Sequence, residues 1–260
     1  MKHLIIPDVH ERLDRLEQAM RHIKKADRYI FLGDWFDTFK KFDEQRLKSV
    51  CHFIVSMIGD AKTLDISTWL LGNHDCHYFF NNLGFQCSGF DWNKKALIKN
   101  LIPRQIIERF QIYQKVGGYV LSHAGFHTDN LDILNPPALQ AQLIEQCLRG
   151  NYPRAFESGR ARGGYAKLGG PTWLDWNHEF RHIDGMPQIV GHTQTDIPRR
   201  AHESGCPMKM VSADSAWGHA PVEMSGSCSC NPSYCIDTSL RHVAILDDIT
   251  NKVEILDVEA

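Results

Sequence analysis

The sequence predicts a mixed α/β domain, and two patterns carry that prediction. Short apolar runs recur through the first three quarters of the chain and end abruptly in Asp, Asn, His or Gly, as in HLIIPD, RYIFLGD, STWLLGNHD, GYVLSHAG and PQIVGHT. Each reads as a buried strand whose C-terminal end delivers a polar residue. Segments of helical spacing lie between them at 11–25, 43–57 and 94–116, the last with a break at Pro103. The alternation is βαβ-like. After residue 205 the pattern shifts to strands without long helices, in MKMVSA, YCIDTS, RHVAILDD and KVEILDVE.

The stretch 128–170 is the least regular. A helix is expected over 136–149, and the Arg/Gly-rich ESGRARGGYAKLGG after it has the composition of a mobile loop at the mouth of a site. No repeat or linker-like tract divides the 260 residues, so one domain spanning 1–260 is expected.

Composition removes several function classes. Hydrophobic residues at 43% and charged residues at 23% are near globular averages, which argues against disorder. A net charge of −2 supplies no broad electropositive field, so nucleic acid is not an expected partner. The first apolar run is too short for a signal-peptide core, and no stretch approaches the roughly eighteen apolar residues of a membrane span. A soluble, cytoplasmic protein without a membrane partner is expected. Cys51, Cys76, Cys87 and Cys147 lie in apolar or helical segments, as reduced buried thiols do. Cys206, Cys228, Cys230 and Cys235 fall in a Gly/Ser/Pro-rich stretch that could hold a structural zinc, although paired CxxC spacing is absent.

The chemistry sits at the strand ends. Five motifs follow in order: PDVH at 7–10, GDWFD at 33–37, GNHD at 72–75, SHAG at 122–125 and GHTQ at 191–194. Hard carboxylate and amide oxygens together with imidazole nitrogens suit Mn, Fe, Zn or Mg rather than a thiolate-selective metal. Any one fragment alone is more often a cap, a turn or a satisfied core histidine. A fold that converges these ends would gather three carboxyl or amide groups and three imidazoles around one point.

This ordered set resembles the calcineurin-like metallophosphoesterase family, whose pattern is DxH, GDxxD, GNH[DE], a His ahead of a small residue, and GHx. The resemblance runs from Asp8 to His192 and implies a sandwich of two mixed β-sheets flanked by helices, with a two-metal centre on loops at the strand ends. It assigns Asp8, His10 and Asp34 to one divalent ion and Asp34, Asn73, His123 and His192 to a second, with Asp34 bridging. Manganese is the first choice of metal, with iron, zinc or magnesium also accommodated. The implied reaction is attack of a metal-bridging hydroxide on phosphorus, with His74 protonating the leaving-group oxygen and Asp37 orienting His74.

Within the superfamily, Gln194 stands where many phosphodiesterases and nucleases carry a second His. TWLD at 172–175 and the CIDTS and HVAILD segments resemble the phosphoprotein phosphatase and diadenosine tetraphosphatase branch. That branch usually follows its second Asp with an Arg that grips phosphate, whereas Asp37 precedes Thr38 and Phe39. Pro7 also stands where Gly is usual before the first Asp. Arg160, Arg162, Arg181, Arg199 and Arg200 are candidate substitutes for the missing Arg, and Tyr165, Trp217 and His219 are candidates to line a substrate groove. The expected activity is hydrolysis of phosphomonoesters on a protein or a small molecule. Dinucleoside polyphosphate or phosphodiester hydrolysis is the alternative, and a catalytically silent binding module is a third reading. Nothing in the sequence sets an oligomeric state.

Overall fold

The computed structural model describes residues 1–38, 40–81, 86–135, 138–202 and 230–259. The expected MKMVSA strand, Trp217, His219, Cys206 and Cys228 lie outside the described residues.

Two mixed five-stranded sheets pack as a sandwich flanked by helices, as expected. The first comprises β1 (Lys2–Ile6), β2 (Arg28–Phe31), β3 (Ser67–Trp69), β9 (His242–Asp247) and β10 (Val253–Asp257), in the order β10-β9-β1-β2-β3. The second comprises β4 (Tyr113–Val116), β5 (Tyr119–Ser122), β6 (Gln188–Val190), β7 (Arg199–Ala201) and β8 (Ser233–Cys235), in the order β4-β5-β6-β8-β7. β1, β2 and β3 run parallel, as do β5, β6 and β8. Parallel pairing brings the C-terminal ends of each trio to one edge of its sheet.

Burial on both faces explains the unbroken apolar runs. In β1, Ile5 turns toward the second sheet and meets Ile30, Leu121 and Ile189, while Leu4 and Ile6 turn toward the helices. That helical layer is built mainly from α1 (Leu13–Met20), α2 (Glu44–Gly59), α5 (Trp92–Leu101) and α7 (Leu139–Leu148). α2 starts where Asp43 accepts the backbone N–H groups of Gln45 and Arg46, and buries Leu47, Val50, Cys51, Ile54 and Ile58 at helical spacing. On the far side of the second sheet, Leu174, Trp176 and Phe180 cover Val190 and Cys235.

Several elements differ from expectation. The helical segment at 11–25 is α1 followed by a 3-10 turn over Arg21–Lys25, because His10 and Glu11 have left-handed backbone angles and delay the start of the helix. The segment at 94–116 is not helical to its end. α5 stops at Leu101, α6 (Arg104–Ile107) follows Pro103, and the chain then extends into β4. Gly117 and Gly118 close β4 onto β5 as an antiparallel hairpin, with Gly117 at φ +54°, so the Gly-Gly turn outranks the helical pattern. β7 was not anticipated. The helix expected at 136–149 is described over Leu139–Leu148. Among the described residues no helix is long and apolar enough to cross a membrane.

One buried lysine fastens the helix that opens with the GNHD motif. α4 (Asn73–Phe79) is buried along its length, and Lys95 on α5 donates to the carbonyls of His77 (2.7 Å) and Phe80 (2.5 Å) at its C-terminal end. Burial is the chief cause that pushes the Lys95 pKa down from 10.5 to about 8. Lys95→Met is expected to cost about 1–2 kcal/mol at pH 7 through the two abandoned carbonyls. Between about pH 8 and 10.5 the unfolded lysine holds a proton that the folded one has released, so wild-type stability should rise with pH relative to the variant. Urea unfolding of both proteins across that range checks the sign.

Candidate metal centre

The site forms where the strand ends meet, on backbone that L-residues adopt at a cost. Of the eight non-glycine residues with positive φ among the described residues, five belong here: His10, Glu11, Asp34, Asp37 and His192. Strain so concentrated is characteristic of functional loops held by their surroundings. The loop after β1 docks on the loop after β2 through the N–H groups of Val9 and His10, which both donate to the Asp34 carbonyl (3.0 and 2.8 Å). Gly191 N donates to the His123 carbonyl (2.7 Å) and joins the loops after β5 and β6.

All six expected ligands come together. Asp8, His10 and Asp34 offer ligand atoms within 4.8 Å of one another, as do Asp34, His123 and His192, and Asp34 belongs to both groups. His123 Nε2 lies 3.0 Å from Asn73 Oδ1, 3.2 Å from His192 Nδ1 and 3.3 Å from Asp34 Oδ2. His10 Nε2 is 3.7 Å from the same Asp34 oxygen. The Nδ1 atoms of His10 and His123 are each 2.9 Å from a backbone carbonyl, of Phe36 and Leu32 respectively. With Nδ1–H donating there, each Nε2 lone pair is left facing the cluster, the arrangement in which a protein orients an imidazole ligand.

The electrostatics describe an acidic site that favours cations. Burial raises the Asp34 carboxyl pKa, but His123 and His74 outweigh it and hold the group well below its usual value. Burial, reinforced by the charge of Asp237, pushes Asp8 well above the usual carboxylate range. His123 is desolvated yet raised to about 9 by Asp34 and Asp8, whereas burial and the neighbouring His123 hold His192 well below its ordinary value. His192 Nε2 is buried with no hydrogen-bond partner. The mixed oxygen and nitrogen donors gathered around Asp34 fit a divalent cation.

The proposed acid dyad is assembled as well. His74 Nδ1 and Asp37 Oδ2 are 2.8 Å apart. His74 is buried, which disfavours its charge, but Asp34 and Asp37 prevail and hold its pKa well above 6.5. Asp37 stays ionised against burial because His74, Lys94 and Tyr78 all donate to it, with Lys94 Nζ at 2.8 Å from Oδ1.

A cavity of about 320 Å³ opens over these groups, lined by His10, Asp34, Asn73, His74, Arg162 and His192 among others. Among the described residues, Arg162 is the lining guanidinium or ammonium; its Nε lies 2.7 Å from Asp175 Oδ2 and its Nη2 donates to Thr193 Oγ1 at 2.8 Å. The other four candidate arginines do not line it. Arg199 donates to the Thr193 carbonyl, Arg181 to that of Phe180, Arg200 sits over the Tyr234 ring, and Arg160 lies in a 3-10 turn. The 157–170 segment folds on itself, with Arg160 N donating to the Ala166 carbonyl and Gly170 N to that of Glu157, and it is anchored by Glu179, which accepts from Gly169 N and Ala161 N. Tyr165 is 92% exposed and does not line the cavity, which corrects that expectation; Trp173 of the TWLD motif does. Cys235 donates its thiol to the Gly191 and Thr193 carbonyls, and so supports the GHTQ loop.

Sequence reasoning missed four contributors. Asp75 accepts N–H groups from Asp34, Trp35 and Gly72, and so ties two ligand loops together. The signal was present, because Asp75 closes the GNHD motif. Asp237, inside CIDTS, lines the cavity, and Glu11 and Lys94 stand behind the dyad. Glu11 and Lys94 carried no recognisable pattern.

A model of the calcineurin-like phosphoesterase family matches residues 1–196, and the chain belongs to that family. It is therefore a hydrolase of a metal-dependent class, and general phosphoester hydrolysis is its chemistry. The chain is similar in structure to a mutant cold-active protein tyrosine phosphatase (14% identity, covering 99% of this chain and 78% of that one, TM-score 0.59). It is similar also to the cold-active protein tyrosine phosphatase of a psychrophilic Shewanella species (14% identity, 98% and 80% covered, TM-score 0.55). At that identity the likeness concerns the fold. No curated protein matches the sequence.

The close approach of loops makes Gly191 sensitive. A Cβ there would stand 2.1 Å from Asp8 Oδ2. Gly191→Ala is expected to displace the Asp8 carboxylate, to cost about 1–3 kcal/mol of stability, and to lower the divalent metal retained through gel filtration. Thermal melts and elemental analysis of both proteins check this.

Proposed function

We propose that the protein is a metal-dependent phosphatase acting on phosphomonoesters of a protein or a small molecule. The observation that carries the reading is the pair of ligand groups sharing Asp34, with His74 of the His74–Asp37 dyad lining the same cavity as His10, Asp34, Asn73 and His192. Asp8, His10 and Asp34 would hold one divalent ion, and Asp34, Asn73, His123 and His192 a second. Two such ions supply Lewis-acid activation of water and neutralisation of phosphoryl charge.

The remaining steps belong to the chain's own side chains. Arg162, held by Asp175 and Thr193, offers its guanidinium to phosphoryl oxygens in place of the Arg absent after Asp37. His74, with Nδ1 engaged by Asp37, presents Nε2 as the proton donor to the leaving-group oxygen. Trp173 supplies an apolar face to the cavity wall beside His192.

Asp34→Asn is expected to abolish activity whichever of Mn, Mg, Zn or Fe is added back to chelated protein; full activity in the variant would overturn the assignment. His74→Asn should reduce turnover of alkyl phosphates by about 10²–10⁴-fold while sparing 4-nitrophenyl phosphate, whose leaving group needs no proton. Arg162→Ala should raise KM for phosphomonoesters more than it lowers kcat, as steady-state kinetics will show.

A further inference from the structure

One buried thiol beside the dyad, that of Cys87, has no part in the reaction just described. Cys87 is 5% exposed and its Sγ lies 3.5 Å from Asp37 Oδ2, the same oxygen that stands 2.8 Å from His74 Nδ1. The three ligand atoms all lie within 4.8 Å of one another, and all three residues are buried. We propose that Asp37 Oδ2, His74 Nδ1 and Cys87 Sγ form a separate, inhibitory site for a soft divalent cation of the zinc type.

The geometry is near what such an ion needs. Tetrahedral zinc with Zn–S about 2.3 Å and Zn–O about 2.1 Å sets sulfur and oxygen about 3.6 Å apart. The present S···O separation is 3.5 Å. The N···O pair, at 2.8 Å, must open toward about 3.4 Å, which follows once the proton between those atoms is replaced by the ion. The other oxygen of Asp37 is already engaged by Lys94 and Tyr78, so Oδ2 remains directed at the cluster. Lys94 also lies 3.6 Å from Glu11 Oε1, so its charge is shared between two carboxylates rather than aimed at the incoming ion. Ser88, the next residue along the chain, lines the cavity, so the thiol lies one residue from a solvent-accessible wall.

The donor set selects the ion. A thiolate with an imidazole favours zinc strongly over magnesium or manganese, in contrast to the all oxygen and nitrogen groups around Asp34. Binding forms Zn–S, Zn–N and Zn–O bonds and releases the thiol proton and the Nδ1 proton to solvent; nothing is oxidised. The consequence for activity rests on the reading of His74 as the acid. An imidazole whose Nδ1 carries an ion would have to become imidazolate on giving up its Nε2 proton, so it is a poor donor to a leaving group. A soft ion would thus suppress turnover while the harder ions stay in place.

The test uses the full chain loaded with manganese. Titration with cobalt should develop a near-ultraviolet thiolate-to-metal charge-transfer band in wild type and not in Cys87→Ser or Cys87→Ala, each checked for an unchanged melting profile. Wild type should also retain one more equivalent of zinc than either variant after desalting. Low micromolar zinc should inhibit alkyl phosphate hydrolysis by about tenfold or more in wild type and change 4-nitrophenyl phosphate turnover by less than about twofold, with both variants resistant. Equal zinc retention in all three proteins and no band would overturn the site. A band accompanied by equal inhibition of both substrates would uphold the site and count instead against His74 as the acid.

Discussion

Three carboxylates, those of Asp8, Asp34 and Asp237, are buried near the ends of β1, β2 and β8, and the surrounding structure answers the cost of keeping them there. Ionised groups in an interior are strongly disfavoured unless paired. The backbone gives part of the compensation: His192 N donates to both oxygens of Asp8, and His74 N donates to Asp34 Oδ1. The imidazoles of His10 and His123 give another part, each fixed by a backbone carbonyl so that its other nitrogen faces the acids. The compensation is uneven. Asp34 is held ionised while Asp8 is driven toward its neutral form, and a cation set among these donors is what would allow both to be charged at once.

Behind the dyad lies a second charged layer. Asp37 takes donors from His74, Lys94, Tyr78 and Cys87, and the buried Glu11 is matched by Arg46 at 3.0 Å and by Lys94. Glu11 in turn accepts the N–H of Asp37. Removal of one member would leave a buried charge without its partner, the costly way to break such a network. Lys94 sits in the first turn of α5, where Asp91 accepts its N–H, so the start of that helix and the orientation of His74 are mechanically joined.

Much of the fold was legible because strand burial is a local property. A run such as HLII carries its own evidence: both faces are apolar, so both must be covered. The stops after these runs were legible for the same reason, since a polar residue at a strand end is visible without knowledge of what it meets. Where the reading failed, a tertiary contact competed with a local pattern. Tyr113–Val116 continues the helical spacing of the residues before it, but antiparallel pairing with β5 draws it into a sheet. Arg162 could not be told from four other arginines, because the deciding fact is that Asp175 and Thr193 hold it over the cavity.

The sequence by itself determined which donor atoms the chain possesses, their order, and that each follows a buried strand. It also contained the family resemblance, since that depends on the residue types and order of the five motifs. Only the tertiary structure decided which donors share a point, because convergence depends on parallel pairing of separate strands and on left-handed backbone at Asp34 and His192. It alone set Cys87 and Lys94 against Asp37, across 50 and 57 residues of chain. Contacts at such separations leave no periodicity behind; they arise from the closure of the fold, and a local pattern cannot encode them.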